Sequence, residues 1–232
     1  MKNIAFSIVI YLVSNLGMTS ESSNINWVQM SSANDITIFE GDILESGVIP
    51  LKGNLIINSP IEKVAAILDN SSLKPSWLPA IEDLNVLNQK SPYKKVEFYK
   101  VEMPFIISNR TFIMESKASV NNAKDEIFVS VKSINDKVVF DSSSVRGNVQ
   151  NSYIRISKIS DMQTQIEGVF YTDPRGFVPN WVVTRFTRQF CRESLSKLKA
   201  LTEKKNISKS TLKRYADLIN NYAEVNKVVV SN

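Results

Sequence analysis

The sequence has no histidine and one cysteine, Cys191, in 232 residues. Without histidine there is no Ser-His-Asp or Cys-His nucleophile system, and the commonest zinc ligand is missing. A single cysteine permits no intramolecular disulfide and no cysteine-rich metal site. Cys191 falls on the apolar stripe of a predicted helix, so it reads as a small core residue rather than a reactive thiol. Repeats and low-complexity tracts are also missing. Charge is only mildly unbalanced, with 28 Lys and Arg against 23 Asp and Glu. Such an excess suits an anionic membrane surface, nucleic acid or nothing in particular. Nucleic acid is the poorest of the three, because no recognised motif is present and the aromatics follow a core pattern.

What is present begins with an N-terminus patterned like an export signal. Lys2 supplies the positive start, Ile4 to Met18 carries no charge, and Ser20, Ser22 and Ser23 follow. The run is shorter than the ~20 apolar residues a spanning helix needs. The expectation is a signal over residues 1–22, cleaved near Ser20 to Ser22, and a mature protein that is periplasmic or secreted. One domain over 23–205 and a helical extension over 206–232 complete the expected organisation.

Within that domain, strand patterns at Ile36–Phe39 and Val48–Asn58 precede a helix with Ser59 as N-cap and Pro60 as its first residue, ending near Asp69. "SSLKPSWLPA" reads as a loop. Successive strands are expected at Ile81–Asn88, Tyr93–Met103, Ser108–Ala118, Glu126–Ser133, Lys137–Asp141, Val149–Ile159 and Gln163–Thr172. Short links between them imply an antiparallel meander. A long helix follows from about Pro179 to Lys204, with Val183, Phe186, Phe190, Cys191, Leu195, Leu198 and Thr202 on one stripe. Arg185, Arg188, Arg192 and Lys199 lie opposite and form a candidate membrane-docking face, the bland alternative being a solvated helix face. A second helix is expected from Lys209 to about Val225. Strands, a short helix, more strands and a long amphipathic helix give an α+β fold, a curved antiparallel sheet wrapped around the last helix.

Two strands at the centre pose a problem. Alternation assigns Glu97, Tyr99, Val101 and Met103 to the inward face of one, and Arg110, Phe112, Met114, Ser116 and Ala118 to that of the next. Each inward face carries one charge, Glu97 or Arg110. In a hairpin, Arg110 stands opposite Val101 and Glu97 opposite Met114, which separates the charges by roughly 13 Å at ~3.3 Å per residue. Each therefore needs another partner, because an unpaired buried charge is costly. A protein group, water or a polar ligand head would serve; alternatively, Arg110 snorkels to solvent at the strand end.

The segment "MPFIISNRTF" resembles the central motif of the START family, the steroidogenic-acute-regulatory-protein-related lipid-transfer domains. "LIINSPIEKVAAILDN", "SWLPAIED" and "VFYTDPRGFVPNWVV" resemble further landmarks of that family in the right order, over about Trp27 to Leu201. The resemblance implies a helix-grip fold with a hydrophobic tunnel holding one lipid, such as a phospholipid or a sterol. It implies no catalytic residue, no metal and no cofactor, and a monomer that meets an anionic membrane transiently. Arg110 matches a phosphate-contacting arginine of the phosphatidylcholine-binding members. Glu97 matches an acidic position of the sterol-binding members, whose arginine partner is replaced here by Ser116; Thr111 replaces the usual aspartate after Arg110. The ligand-binding candidates are Arg110, Glu97, Tyr99, Phe112, Met114, Tyr153, Tyr171, Phe186 and Phe190, with Trp181 a further aromatic; each aromatic has plain core packing as its alternative.

Two competing readings stand beside the lipid carrier. A polyketide cyclase-like enzyme would use Glu97, with a raised pKa, as its acid or base. An interaction protein would have its cavity filled by side chains.

Overall fold

The computed structural model describes residues 25–44, 46–104, 107–135 and 142–222. The predicted export signal, the strand expected at Lys137–Asp141 and the end of the last helix lie outside them. Ten strands form one sheet: β1 (Val28–Ala33), β2 (Ile36–Glu40), β3 (Leu51–Ile57), β4 (Ile81–Ser91), β5 (Lys94–Val101), β6 (Arg110–Asn121), β7 (Glu126–Ser133), β8 (Val145–Arg146), β9 (Asn148–Ser160) and β10 (Gln163–Asp173). Their order is β1-β2-β3-β10-β9-β7-β6-β5-β4, antiparallel throughout except where short β8 runs parallel to β6. Helices α1 (Ile61–Asp69) and α2 (Lys74–Trp77) carry the chain from β3 at mid-sheet to β4 at the edge. Helix α3 (Asn180–Lys204) crosses the concave face, and α4 (Lys209–Asn220) packs on α1.

Local sequence accounts for most of these elements. In β3, Leu51, Gly53, Leu55 and Ile57 are buried and the residues between them are not, which is the period-two pattern of a half-buried strand. Helix α1 buries Ile61, Val64, Ala65 and Ile67 at helical spacing, but its N-cap is Pro60, not Ser59, and no side chain caps it. Fully burying each of these large aliphatic side chains contributes about 1.5–3 kcal/mol. Together with Leu55, Ile57, Ile156, Ile166 and Leu198 they form the main core between sheet and helices.

Two departures from the sequence reading affect the site. The expected loop "SSLKPSWLPA" contains a 3-10 turn, Ser71–Leu73, and then α2, whose first turn accepts Pro75 because that position needs no backbone N–H. Strand β5 is buried on both faces: Val96 and Phe98 form a second core on the outer side with Ile113.

A glycine of the sheet lies where α3 comes close. Gly53 on β3 and Gly168 on β10 are register partners. A Cβ at Gly53 would lie 2.6 Å from Leu195 Cδ1 on α3, so a larger residue there would force the Leu195 side chain to move.

Candidate functional site

Between the concave face and α3 lies a cavity of about 370 Å³, within the usual range of ligand sites. Its wall is mainly aliphatic and aromatic. The space is therefore not filled by side chains, as the interaction-protein reading required. The floor comes from the inward faces identified by alternation: Glu97, Tyr99 and Val101 from β5 with Met103 just past its end, and Arg110, Phe112, Met114, Ser116 and Ala118 from β6; Lys95 is also buried there, so the β5 face carries two charges and not the one expected. The hairpin register pairs Val101 with Arg110 and Glu97 with Met114, as expected. The roof is the stripe of α3 that includes Val183, Phe186, Phe190, Cys191, Leu195 and Leu198. Phe186 and Phe190 pack with ring centroids 5.9 Å apart.

The remaining aromatic candidates lie elsewhere. On β9, Ile154 and Ile156 line the cavity, so Tyr153 faces outward. There it stacks on Phe128 at 5.3 Å and donates to Glu167 at 3.0 Å. On β10, Gly168, Phe170 and Thr172 line the cavity, which turns Tyr171 outward. Trp181 is 61% exposed at the start of α3.

Glu97 has a partner the sequence did not reveal. Lys74, from α2, forms an ion pair with its carboxylate. Ser71 Oγ donates to Glu97 Oε1 at 2.5 Å, and Tyr99 OH donates to Oε2 at 2.8 Å. Lys74 Nζ also reaches the Tyr99 oxygen at 2.9 Å. Burial alone would raise the Glu97 pKa, but the Lys74 charge and these hydrogen bonds bring it below its ordinary value. Burial likewise moves Lys74 below its ordinary value and pushes Tyr99 well above. A carboxylate with three donors and an ammonium with two acceptors favour the charged pair. Glu97 thus lacks the raised pKa that the cyclase reading assigned to it. The missing signal was the helical turn hidden in "SSLKPSW", which aims Lys74 at β5.

Arg110 is 2% exposed and is satisfied by backbone. Its Nε donates to Pro174 O at 2.9 Å, Nη2 to Arg175 O at 2.9 Å, and Nη1 to Ser108 O. It does not snorkel to solvent, and no ligand head is needed to account for its burial. The turn it grips is tight: Gly176 has φ +66, and a Cβ there would lie 3.5 Å from Arg110 Nη2. The motifs "SNR" and "DPRG" are therefore two halves of one clamp. Three of the guanidinium's five N–H groups are used, and Arg110 still lines the cavity.

The basic residues of α3 also divide. Arg188 forms a two-bond pair with Glu40, at 2.6 and 2.9 Å. Lys199 binds Ile56 O at 2.6 Å and lies beside Asp35 and Glu203. These two fasten α3 to the sheet, Arg188 while still partly exposed, whereas Arg185 and Arg192 are exposed without such a tie to the sheet among the described residues.

A curved antiparallel sheet gripping a long helix over an apolar cavity defines the helix-grip class. The START domain family model matches residues 15–205, and the chain belongs to that family. The match starts inside the segment patterned as an export signal and stops before α4. Among solved structures, human StAR-related lipid transfer protein 5 superposes with a TM-score of 0.68 at 15% identity, covering 82% of this chain and 88% of that one. A STAR-related lipid transfer protein from Xanthomonas axonopodis gives a TM-score of 0.67 at 15% identity, covering 76% and 98%. No curated protein sequence matches significantly.

Proposed function

We propose that the protein is a non-enzymatic carrier that holds one lipid or similar apolar molecule in its cavity and exchanges it at a membrane. The observation that carries this reading is the cavity itself, open and apolar between sheet and α3. Chain desolvation supplies the driving force: at ~0.8 kcal/mol per buried CH₂, a single acyl chain gives ample gross free energy. Family membership and the lipid transfer proteins among the structural neighbours support the same reading. The ion-paired state of Glu97 favours a carrier over an acid–base enzyme.

Exchange at a bilayer requires a docking surface. A groove lined by Pro79, Met103, Pro104, Phe186 and Phe190, with the carboxylates of Glu102 and Glu193 also on it, shares Met103, Phe186 and Phe190 with the cavity and is its natural mouth. Phe177, 94% exposed, Trp181 and the exposed Arg185 belong to the "DPRG" turn and the first turns of α3. Aromatic wedges beside cations suit an anionic interface. In this reading the N-terminal pattern is an export signal and the carrier works outside the cytoplasm. Mass spectrometry of material extracted from the purified protein, with transfer of that material between vesicles, tests the function. Recovery of an intact lipid that moves to acceptor vesicles is expected. A protein that carries none and turns over an added substrate in a Glu97-dependent way would overturn it.

A further inference from the structure

We propose that α4 is a gate over a second end of the cavity, latched by the hydroxyls of Tyr215 and Tyr93, and that the ligand chain passes beneath it. The proposal rests on the carrier reading.

The cavity has two ends. Met103, Phe186 and Phe190 mark one, beyond the C-terminal end of β5. Tyr93 precedes the first residue of the same strand, eight residues and roughly 26 Å away at ~3.3 Å per residue. At this second end the wall is completed by Tyr215, Leu218 and Ile219 of α4. The family match ends at residue 205, so this part of the wall lies outside the matched domain.

The way α4 is held is unlike the rest of the wall. It contains no buried residue, whereas α3 buries Val182 and Leu198, and α1 buries most of its length. Its apolar face is half-covered, with Tyr215 and Ile219 resting on the main core, and a few polar contacts complete its attachment. Tyr215 OH donates to Asp69 Oδ2 at 2.6 Å, and Tyr93 OH donates to Leu218 O at 2.8 Å. Tyr93 also meets Tyr222 edge to face at 5.0 Å, and Asn122 Nδ2 reaches Asn220 O at 3.3 Å. An element with little buried apolar surface and few hydrogen bonds opens at a lower free energy than the global fold. Opening α4 would uncover the cavity without disturbing the sheet, the α3 core or the Arg110 clamp. Asp69 also receives Lys95 at 2.8 Å, and Lys95 reaches Ser71, the donor to Glu97. The latch is thus continuous with the polar cluster inside the cavity.

The test uses the full chain, loaded with a fluorescent polyene fatty acid and mixed with phosphatidylcholine vesicles. Release rate and amide exchange of residues 209–220 are measured for wild type, Tyr215→Phe, Tyr93→Phe and the double variant. Each substitution keeps the ring and removes one hydroxyl. Each single variant is expected to speed both release and α4 exchange by about 2- to 10-fold, and the double variant by about the product. Faster exchange with unchanged release would make α4 a wall and not a gate. Unchanged exchange would show that the hydroxyls do not latch it. Either result overturns the gate alone. A wild-type chain that takes up no acyl probe overturns the carrier reading and the gate with it.

Discussion

Glu97 and Arg110 are both charges buried on neighbouring strands of one cavity floor, yet their surroundings differ in kind. Arg110 is held by three carbonyls, two of them from a turn 64 and 65 residues further along the chain. Backbone carbonyls cannot turn away without moving the chain, so this charge belongs to the framework. Glu97 is held by Lys74, Ser71 and Tyr99, all through side chains. Rotamers can change in place, and each of these groups could give a hydrogen bond to a ligand instead. Partner type, more than burial, separates a structural charge from one available to a ligand.

The largest effect expected from this contrast is at Arg110. Arg110→Ala removes three charge-assisted hydrogen bonds and leaves carbonyls of the "DPRG" turn unsatisfied. A loss of about 3–5 kcal/mol is expected in urea melts. Arg110→Lys should recover little, because one ammonium cannot span three carbonyls as the planar fork does. A ligand-only role predicts the reverse, with weakened binding in an intact fold, and a loss under about 1 kcal/mol would establish it.

At Glu97 the expected cost is smaller. Glu97→Gln keeps the shape and an acceptor oxygen but weakens the charge-assisted hydrogen bonds to Lys74, for about 2 kcal/mol. Adding Lys74→Met to that variant should restore part of the loss, since an apolar pair can replace a buried ion pair at little cost. A double variant less stable than the sum of the singles would show that the two residues are not a pair.

The pair also fixes a pH dependence. The Glu97 pKa is lower folded than unfolded, so its contribution is fully present above the unfolded value and is lost as pH falls through the folded one. Stability should therefore decline below the ordinary glutamate value of about 4.3. Glu97→Gln should flatten that decline, while Arg110→Lys should leave its shape unchanged. An identical acid profile in Glu97→Gln and wild type would remove Glu97 from the account.

The inward faces of β5 and β6 and the stripe of α3 were legible because alternation and helical spacing are set by backbone geometry. The pairing register followed from matching those faces. The partners of the two charges were not legible. Lys74 reaches Glu97 from a turn whose sequence reads as loop, and Arg110 binds carbonyls, which no residue type announces. Tyr153 and Tyr171 were misplaced because aromatic character alone does not say which face of a strand a residue takes; Ile154, Ile156 and Phe170 of the other alternating sets line the cavity. Arg188 and Lys199 looked free on the helix wheel, since a wheel does not show Glu40 or Asp35 arriving from β2 and the turn before it.

Cys191 offers the mildest probe of the same contrast. Its thiol lines the cavity, and burial pushes its pKa up to about 11. The thiolate is the reactive form, so at neutral pH an aqueous maleimide should label it roughly 100-fold more slowly than an ordinary exposed cysteine. Labelling then reports access to the cavity without perturbing either charge. If Arg110 belongs to the framework, Arg110→Lys loosens the turn next to α3 and labelling accelerates several-fold. If Glu97 is a locally held charge, Glu97→Gln changes the rate by less than about twofold. Equal acceleration in both variants would mean that both charges support the cavity wall, and the distinction drawn from their partners would fail.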